Sequence, residues 1–339
     1  MIRVLTGDCR EVLRDLLSNS IDCVVSSPPY WGLRDYGVEG QIGMEASLSL
    51  YIECMVGVFR EVRRVLKRDG TLWLNLGDSY AAKANGRPAE EVVGDDRTFR
   101  DKPFSTVGPV ARPGWDAHGG LVGMAAARNR NGIAGFDAGN LKPKDMCGVP
   151  WRVAFALQED GWWLRQDIIW AKPNPMPESV TDRCTKAHEY LFLLAKSERY
   201  YYDQGAIAES AIRAGDIPLG SHKHMNGDFG RYAQGLEKHA LLPVNLMRNK
   251  RSVWEIATAP FLEAHFATFP PALVEPCILA GCPKGGTVLD PFGGAGTVGL
   301  VADRLERNAV LIELNPKYNE MATRRIVGDA PLFVELHDR

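Results

Sequence analysis

Thr287-Val-Leu-Asp290-Pro-Phe-Gly-Gly-Ala-Gly-Thr297 is the stretch that decides the architecture of this chain. Thr287 to Leu289 read as a short buried strand. A glycine-rich turn follows, then a helix over Val298–Arg307, then a second strand over Ala309–Ile312 that ends on Glu313. Strand, glycine turn, helix and strand make a βαβ unit. Such units build parallel sheets with helices on both faces. The glycines let a ligand approach the backbone, and the helix N-terminus presents free N–H groups. An acid closing the next strand suits the paired hydroxyls of a ribose. The unit therefore reads as half of a nucleoside site.

Two nucleosides compete for it. Gly294-x-Gly296-x-x-Gly299 fits the dinucleotide fingerprint, with Glu313 at about the right distance beyond it, so a nicotinamide enzyme is one reading. Against this, the unit follows the other strands instead of leading them. Asp290-Pro291 opens the loop with a carboxylate, which matches a cationic ligand better than a pyrophosphate. No second substrate domain with a hydride-transfer acid or base is visible. A sulfonium nucleoside, S-adenosyl-L-methionine, fits better.

A second strand-to-turn stretch lies near the other end of the chain. Ile21 to Val25 are apolar and β-branched apart from Asp22 and Cys23, and they run into Ser26-Ser27-Pro28-Pro29-Tyr30. Neither proline can donate to a sheet ladder, and each fixes its own φ. Pro28 also biases Ser27 toward extended geometry. The product is a stiff turn at the carboxyl end of a strand, where open α/β sheets bind ligands. It holds a hydroxyl, a carbonyl and an aromatic ring in fixed relation. Two acceptors beside a ring suit a flat heterocycle bearing an exocyclic amino group.

Around these stretches the periodicity alternates between helix and strand. Ile2–Leu5 read as a strand, Glu11–Leu17 as a helix, Leu48–Lys67 as a long amphipathic helix stopped by Asp69-Gly70, and Thr71–Leu76 as a buried strand. Trp31–Gly43 read as an active-site loop. Trp151–Glu159 are a helix behind Pro150, and Trp162–Trp170 a strand. Glu189–Ala195 and Arg199–Tyr202 flank a short polar loop and read as a hairpin. Ser79–Asp145 and Gln204–Ile256 lose the pattern. The first reads as an insertion and the second as a basic, aromatic-bearing region suited to phosphates.

Composition narrows the class. The chain has 339 residues, so one large α/β domain with inserted modules fits. A formal net charge of −2 gives no global nucleic-acid signature, so any such binding rests on local basic patches. Seven cysteines show no C-x-x-C pair or metal-ligand spacing, which points to reduced thiols in the cytoplasm and no metal site. The start lacks a signal-peptide layout, and no apolar run reaches membrane-spanning length.

Taken together, the motifs resemble the β-class amino-directed DNA methyltransferases, in which a Ser/Asp/Asn-Pro-Pro-Tyr turn precedes the cofactor loop. Ser27-Pro28-Pro29-Tyr30 matches the first and Asp290–Thr297 the second. His265-Phe-Ala-Thr-Phe-Pro270, Arg64–Gly70 and Trp170-Ala-Lys172 with His188-Glu189 resemble further family blocks. The resemblance implies a Rossmann-like class I methyltransferase fold with circularly permuted motif order. Its sheet is mixed but mostly parallel and twisted, with helices on both faces. Residues 1–78 and 147–203 would form the catalytic half, 79–146 a loop-rich insertion, 204–257 a target-recognition region and 258–339 the cofactor half.

By the same likeness, Asp290, Pro291, Phe292, Gly294, Gly296 and Thr297 would line the cofactor. Glu313 would hold its ribose, Asp8 and Cys9 would lie near the adenine, and Thr268 and Phe269 near the methionine end. Ser27, Pro28, Pro29 and Tyr30 would act on the base. Arg34, Lys172, Lys223, Arg231, Arg248, Lys250 and Arg251 are the candidate DNA contacts. The partner implied is double-stranded DNA; the likeness also leaves room for a homodimer and a companion restriction endonuclease. In the family, serine at the first turn position goes mostly with the cytosine amino group. The expected product is therefore N4-methylcytosine, with N6-methyladenine as the alternative. Pro276-Cys277 sits inside a predicted helix, so Cys277 reads as a core residue and not a carbon-5 nucleophile.

Overall fold

The computed structural model describes residues 1–33, 37–38, 40–81, 139–210, 247–259 and 270–329. The larger of two compact units comprises Met1–Tyr202 and Ser252–Arg339. Its strands are β1 (Ile2–Thr6), β2 (Ile21–Ser26), β3 (Leu66–Leu76), β4 (Trp163–Ala171), β5 (His188–Ala195), β8 (Val253–Glu255), β9 (Thr287–Asp290) and β10 (Asn308–Glu313). They form one sheet in the order β1-β10-β9-β2-β3-β5-β4-β8. Strands β1, β10, β9, β2 and β3 run parallel, and β5 is antiparallel to both its neighbours. The chain therefore has the class I methyltransferase architecture with its cofactor strands at the end of the sequence.

The helices lie in two layers. Helices α1 (Cys9–Asp15), α2 (Leu48–Val65) and α3 (Val149–Glu159) pack together on one face. Helices α4 (Pro271–Gly281), α5 (Thr297–Arg304) and α6 (Pro316–Asp329) take the other. Strand periodicity divides the core accordingly. Val24, Leu72 and Leu74 join Met55, Phe59 and Val62 of α2. Cys23 and Trp73 point the opposite way, against Gly281 of α4, where a Cβ would come within 2.5 Å of the Trp73 Nε1. α2 starts at an N-cap: Ser47 Oγ accepts from the Leu50 N–H at 3.2 Å, a contact worth about 1 kcal/mol.

Two boundaries differ from the sequence reading. α2 ends at Val65, and Leu66 is already in β3, paired with Ile21; a bulge then restores register at Cys23 and Thr71. Leu66 satisfies the helical period, so periodicity alone runs the helix too far. Gly70 admits the bulge because a Cβ there would lie 2.9 Å from the Asp22 carbonyl oxygen. The second difference concerns β5. It pairs with β3 and β4, and Arg199–Tyr202 is not a strand. The polar loop after Ala195 leads to no ladder; β5 finds its hairpin partner across the proline-rich connector that follows Lys172.

The second unit spans Asp203–Arg251. Its described part pairs β6 (Glu209–Ser210) antiparallel with β7 (Met247–Arg248). Glu209 takes ion pairs from Arg248 at 3.1 Å and Arg251 at 2.7 Å. Among the described residues, no helix is long and apolar enough to cross a membrane.

Candidate active site

The sheet brings the two motif turns to one edge. β2 and β9 are adjacent and parallel, with Cys23 opposite Val288 and Val24 opposite Leu289. Both turns therefore leave the same end of the sheet, side by side. This is the point where the strand order reverses direction, and clefts of such sheets open there. The turns also touch: Ser26 Oγ donates to Asp290 Oδ1 at 2.6 Å.

The proline turn is fastened from below. Tyr51 of α2 donates its hydroxyl to the Pro29 carbonyl at 2.9 Å. Buried Trp31 donates from Nε1 to the Glu45 carbonyl at 2.9 Å. The Pro28 carbonyl has no donor among the described residues. Ser27 Oγ donates to Asn75 Oδ1 at 3.2 Å, and Asn75 Nδ2 donates to the Tyr190 carbonyl at 3.2 Å. That second bond fixes the amide so its oxygen faces the turn. With its proton directed at Asn75, the Ser27 oxygen keeps lone pairs available as an acceptor.

Tyr30 completes the site. Its hydroxyl lies 2.8 Å from Glu189 Oε2 and 3.2 Å from Asn75 Oδ1. Lys172 pairs with Glu189, and its ammonium sits 4.3 Å from the centroid of the Trp170 ring. Gly77 makes room for the Tyr30 ring: a Cβ there would fall 2.5 Å from Tyr30 Cε2. The motif reading misses Asn75, Gly77 and Glu189 as site residues. Asn75 carries a signal, a lone amide in the apolar run Leu72-Trp-Leu-Asn-Leu76.

On the other side of the cleft, Asp290 is fully buried. Its Oδ1 accepts from Ser26 and from the Phe292 N–H at 3.0 Å, while Oδ2 has no partner among the described residues. Burial pushes its carboxyl up to about 7, against the lowering pull of those two hydrogen bonds. Glu313 Oε2 accepts from the Gly294 N–H and Oε1 from the Asn315 N–H, both at 2.8 Å. Burial raises this carboxyl too.

The glycines divide their work. Gly294, at φ +50°, would place a Cβ no closer than 3.8 Å to the Phe292 carbonyl oxygen, so its outer side is open. Gly296, at φ +74°, lets α6 approach: its Cβ would meet Ala322 Cβ at 2.8 Å. Thr297 is buried and accepts from Arg325 Nη1 at 2.9 Å. Pro291 lies in the same turn, between Asp290 and Phe292.

Asp8 caps α1 and pairs with Arg10, which also reaches the Gly40 carbonyl at 2.7 Å. Cys9 is buried and its thiol is pushed up to about 12, by burial first and then by Asp8. Both follow β1, beside Glu313, whose carbonyl accepts from the Gly7 N–H at 2.9 Å. Lys172 belongs to the Tyr30 network, and Arg248 and Arg251 share Glu209 in the second unit. Lys250 follows β7 in that unit. Arg34, Lys223, Arg231, Thr268 and Phe269 lie outside the described residues, as do the segment Leu121–Arg130 and most of the insertion. Cys277 is buried in α4 and its thiol donates to the Leu273 carbonyl, a core role as expected.

A model of the DNA methylase family of N6/N4 methyltransferases matches residues 21–324. The chain belongs to this family. It is 45% identical over 325 residues to type II methyltransferase M.SmaI of Serratia marcescens, covering 96% of this chain and 90% of that one. It is 43% identical over 323 residues to type II methyltransferase M.Cfr9I of Citrobacter freundii, covering 95% and 87%.

Two solved structures share the fold. A DNA modification methylase of Thermus thermophilus, complexed with S-adenosyl-L-methionine, superposes at TM-score 0.55 with 21% identity, covering 100% of both chains. The cytosine-N4-specific PvuII DNA methyltransferase superposes at 0.57 with 18% identity, covering 95% of this chain and 85% of that one. Family membership leaves the nicotinamide reading of the glycine loop without support.

Proposed function

We propose that this DNA methyltransferase moves a methyl group from S-adenosyl-L-methionine to the N4 amino group of a cytosine flipped out of duplex DNA. The observation that carries this is the Ser26–Asp290 bond, which joins the two motif turns across adjacent strands. When bound, S-adenosyl-L-methionine supplies an electrophilic methyl on a sulfonium. Asp290, Pro291, Phe292 and Gly294 would line its methionine side, with Gly296 and Thr297 shaping the turn from behind. Glu313 would hold the ribose, and Asp8 and Cys9 border the adenine end. The unpaired buried oxygen of Asp290 and the open side of Gly294 fit a cationic nucleoside.

Extruding the base costs about a few kcal/mol. Stacking on Tyr30 offsets roughly 1–3 kcal/mol of that. Ser27 Oγ and the Pro28 carbonyl accept the two amino protons. Those bonds turn the nitrogen lone pair out of conjugation and toward the methyl. The sulfonium is already a good leaving group, so in-line displacement needs mainly positioning and fixed dipoles. No covalent enzyme–base adduct is required. Serine at the first turn position supports cytosine over adenine. Arg248, Lys250 and Arg251 of the second unit are proposed as phosphate contacts. A homodimer and a companion restriction endonuclease stay in the proposal on family likeness.

The test is ligand-specific stabilisation together with transfer. S-adenosyl-L-methionine should raise the melting temperature, NAD should not, and Asp290→Ala should abolish the rise. Labelled methyl should pass to duplex DNA. Stabilisation by NAD alone, or transfer unaffected by Ser27→Ala, would refute the reading.

A further inference from the structure

We infer that Glu189, held by Lys172, is the positioning residue that aims Tyr30 and, through Asn75, keeps Ser27 an acceptor for the target amino group. This rests on the proposed role of the Ser27–Tyr30 turn. Because β5 runs antiparallel, its first residues lie at the edge of the sheet where β2 and β3 end: Tyr190 pairs with Leu76 of β3, and Glu189 with Trp170 of β4. Lys172, just past β4, is fixed by its own N–H donating to the Ala187 carbonyl at 2.8 Å. The two side chains are 17% and 18% exposed. Charges that far out of water cost free energy unless paired and further hydrogen-bonded, and here the second oxygen of Glu189 takes the Tyr30 hydroxyl.

One proton count makes the arrangement specific. Tyr30 has a single hydroxyl proton and two acceptors within reach, Glu189 Oε2 at 2.8 Å and Asn75 Oδ1 at 3.2 Å. The bond to a carboxylate is the shorter and charge-assisted, so the proton goes there. Asn75 Oδ1 is then left to the Ser27 hydroxyl. Neutralise Glu189 and the Tyr30 proton turns to Asn75. It then competes with Ser27, whose own proton is released to point at the substrate nitrogen, where an acceptor is needed. The Tyr30 ring loses its anchor in the same event. Lys172 keeps Glu189 ionised and fills its other oxygen, with its ammonium resting on the Trp170 ring.

The experiment is a double-mutant cycle in the full chain, with Glu189→Gln, Tyr30→Phe and both together. Steady-state transfer of labelled methyl to a duplex oligonucleotide gives kcat and the KM for S-adenosyl-L-methionine. Each single variant should lower kcat about tenfold or more with KM within about twofold, and the double variant should be no slower than the worse single. A merely structural role would not spare KM while making the two losses overlap. Should Glu189→Gln fail to fold, the swapped pair Lys172→Glu/Glu189→Lys keeps the ion pair but turns an ammonium on Tyr30; it should fold and remain slow. Losses that multiply in the double variant, an unchanged kcat in Glu189→Gln, or full activity in the swap would overturn the inference. A wild-type chain that transfers no methyl would instead sink the proposed function itself.

Discussion

Ser26 and Asp290 stand 264 positions apart in the chain and 2.6 Å apart in the fold. One residue immediately precedes the proline turn, and the other opens the glycine turn. Their bond is buried, so any movement of one turn is felt by the other. Removing the donor with Ser26→Ala leaves Asp290 with one hydrogen bond fewer in a fully buried place. A buried acceptor that loses its partner costs about 1–3 kcal/mol. Chemical denaturation should show that loss, and calorimetry should show weaker binding of S-adenosyl-L-methionine. An unchanged affinity would mean that the Asp290 carboxylate does not serve the cofactor.

Asp290 also carries a pH signature. Folded, its carboxyl holds a proton up to about 7 because burial penalises the charge. Unfolded, it releases that proton near ~3.9. Between those values the folded state binds more protons, so its contribution to stability is full at the acid end and is lost as pH rises toward about 7. Urea unfolding of the free protein, compared with Asp290→Asn from about pH 5 to about pH 8, should show the wild type losing ground by about 1 kcal/mol or more. Parallel profiles for the two proteins would contradict this.

Gly77→Ala and Gly296→Ala should fail differently. The Cβ at residue 77 meets the Tyr30 ring at 2.5 Å, a side chain that can swing away. The expected outcome is a kcat reduced about tenfold or more with a near-normal melting temperature, because the stacking ring is displaced while the core is not. At Gly296 the Cβ meets Ala322 at 2.8 Å from a φ of +74°. That site should cost stability, about 1–3 kcal/mol, through overpacking and backbone strain. Equal melting temperatures for the two variants would contradict the division of labour.

Asn75→Ala removes the acceptor of the Ser27 proton. Methyl transfer should slow about tenfold or more while cofactor affinity holds, since Asn75 faces only the proline turn. Single-turnover kinetics with saturating cofactor will show it. A wild-type rate would mean that Ser27 needs no such orientation.

What is legible in the sequence follows from how local each signal is. The βαβ unit over 287–313 and the strand into Pro28-Pro29 are contiguous, so periodicity, glycine and proline suffice to place them. Periodicity misplaces the end of α2 because Leu66 continues an apolar helical period while its backbone has already joined β3. It also misses the partner of β5, because the true pairing crosses a proline-rich connector, whereas a short polar loop lies nearer. The Tyr30–Glu189 contact spans 159 positions, and nothing local in the chain announces which carboxylate will reach the ring. Lys172 reads as a phosphate contact because it follows Trp170 in a proline-rich stretch; the fold places its charge on Glu189. Gly296 and Thr297 belong to the expected cofactor loop, yet their side-chain positions face α6 and Arg325.

Duplex DNA incubated with the protein and methyl-labelled S-adenosyl-L-methionine, then digested to nucleosides and weighed, puts the central claim to its most direct test. The account predicts labelled N4-methyldeoxycytidine from the wild type and none from Ser27→Ala/Tyr30→Ala. Label on carbon 5 of cytosine, or undiminished amino methylation by the double variant, would contradict it.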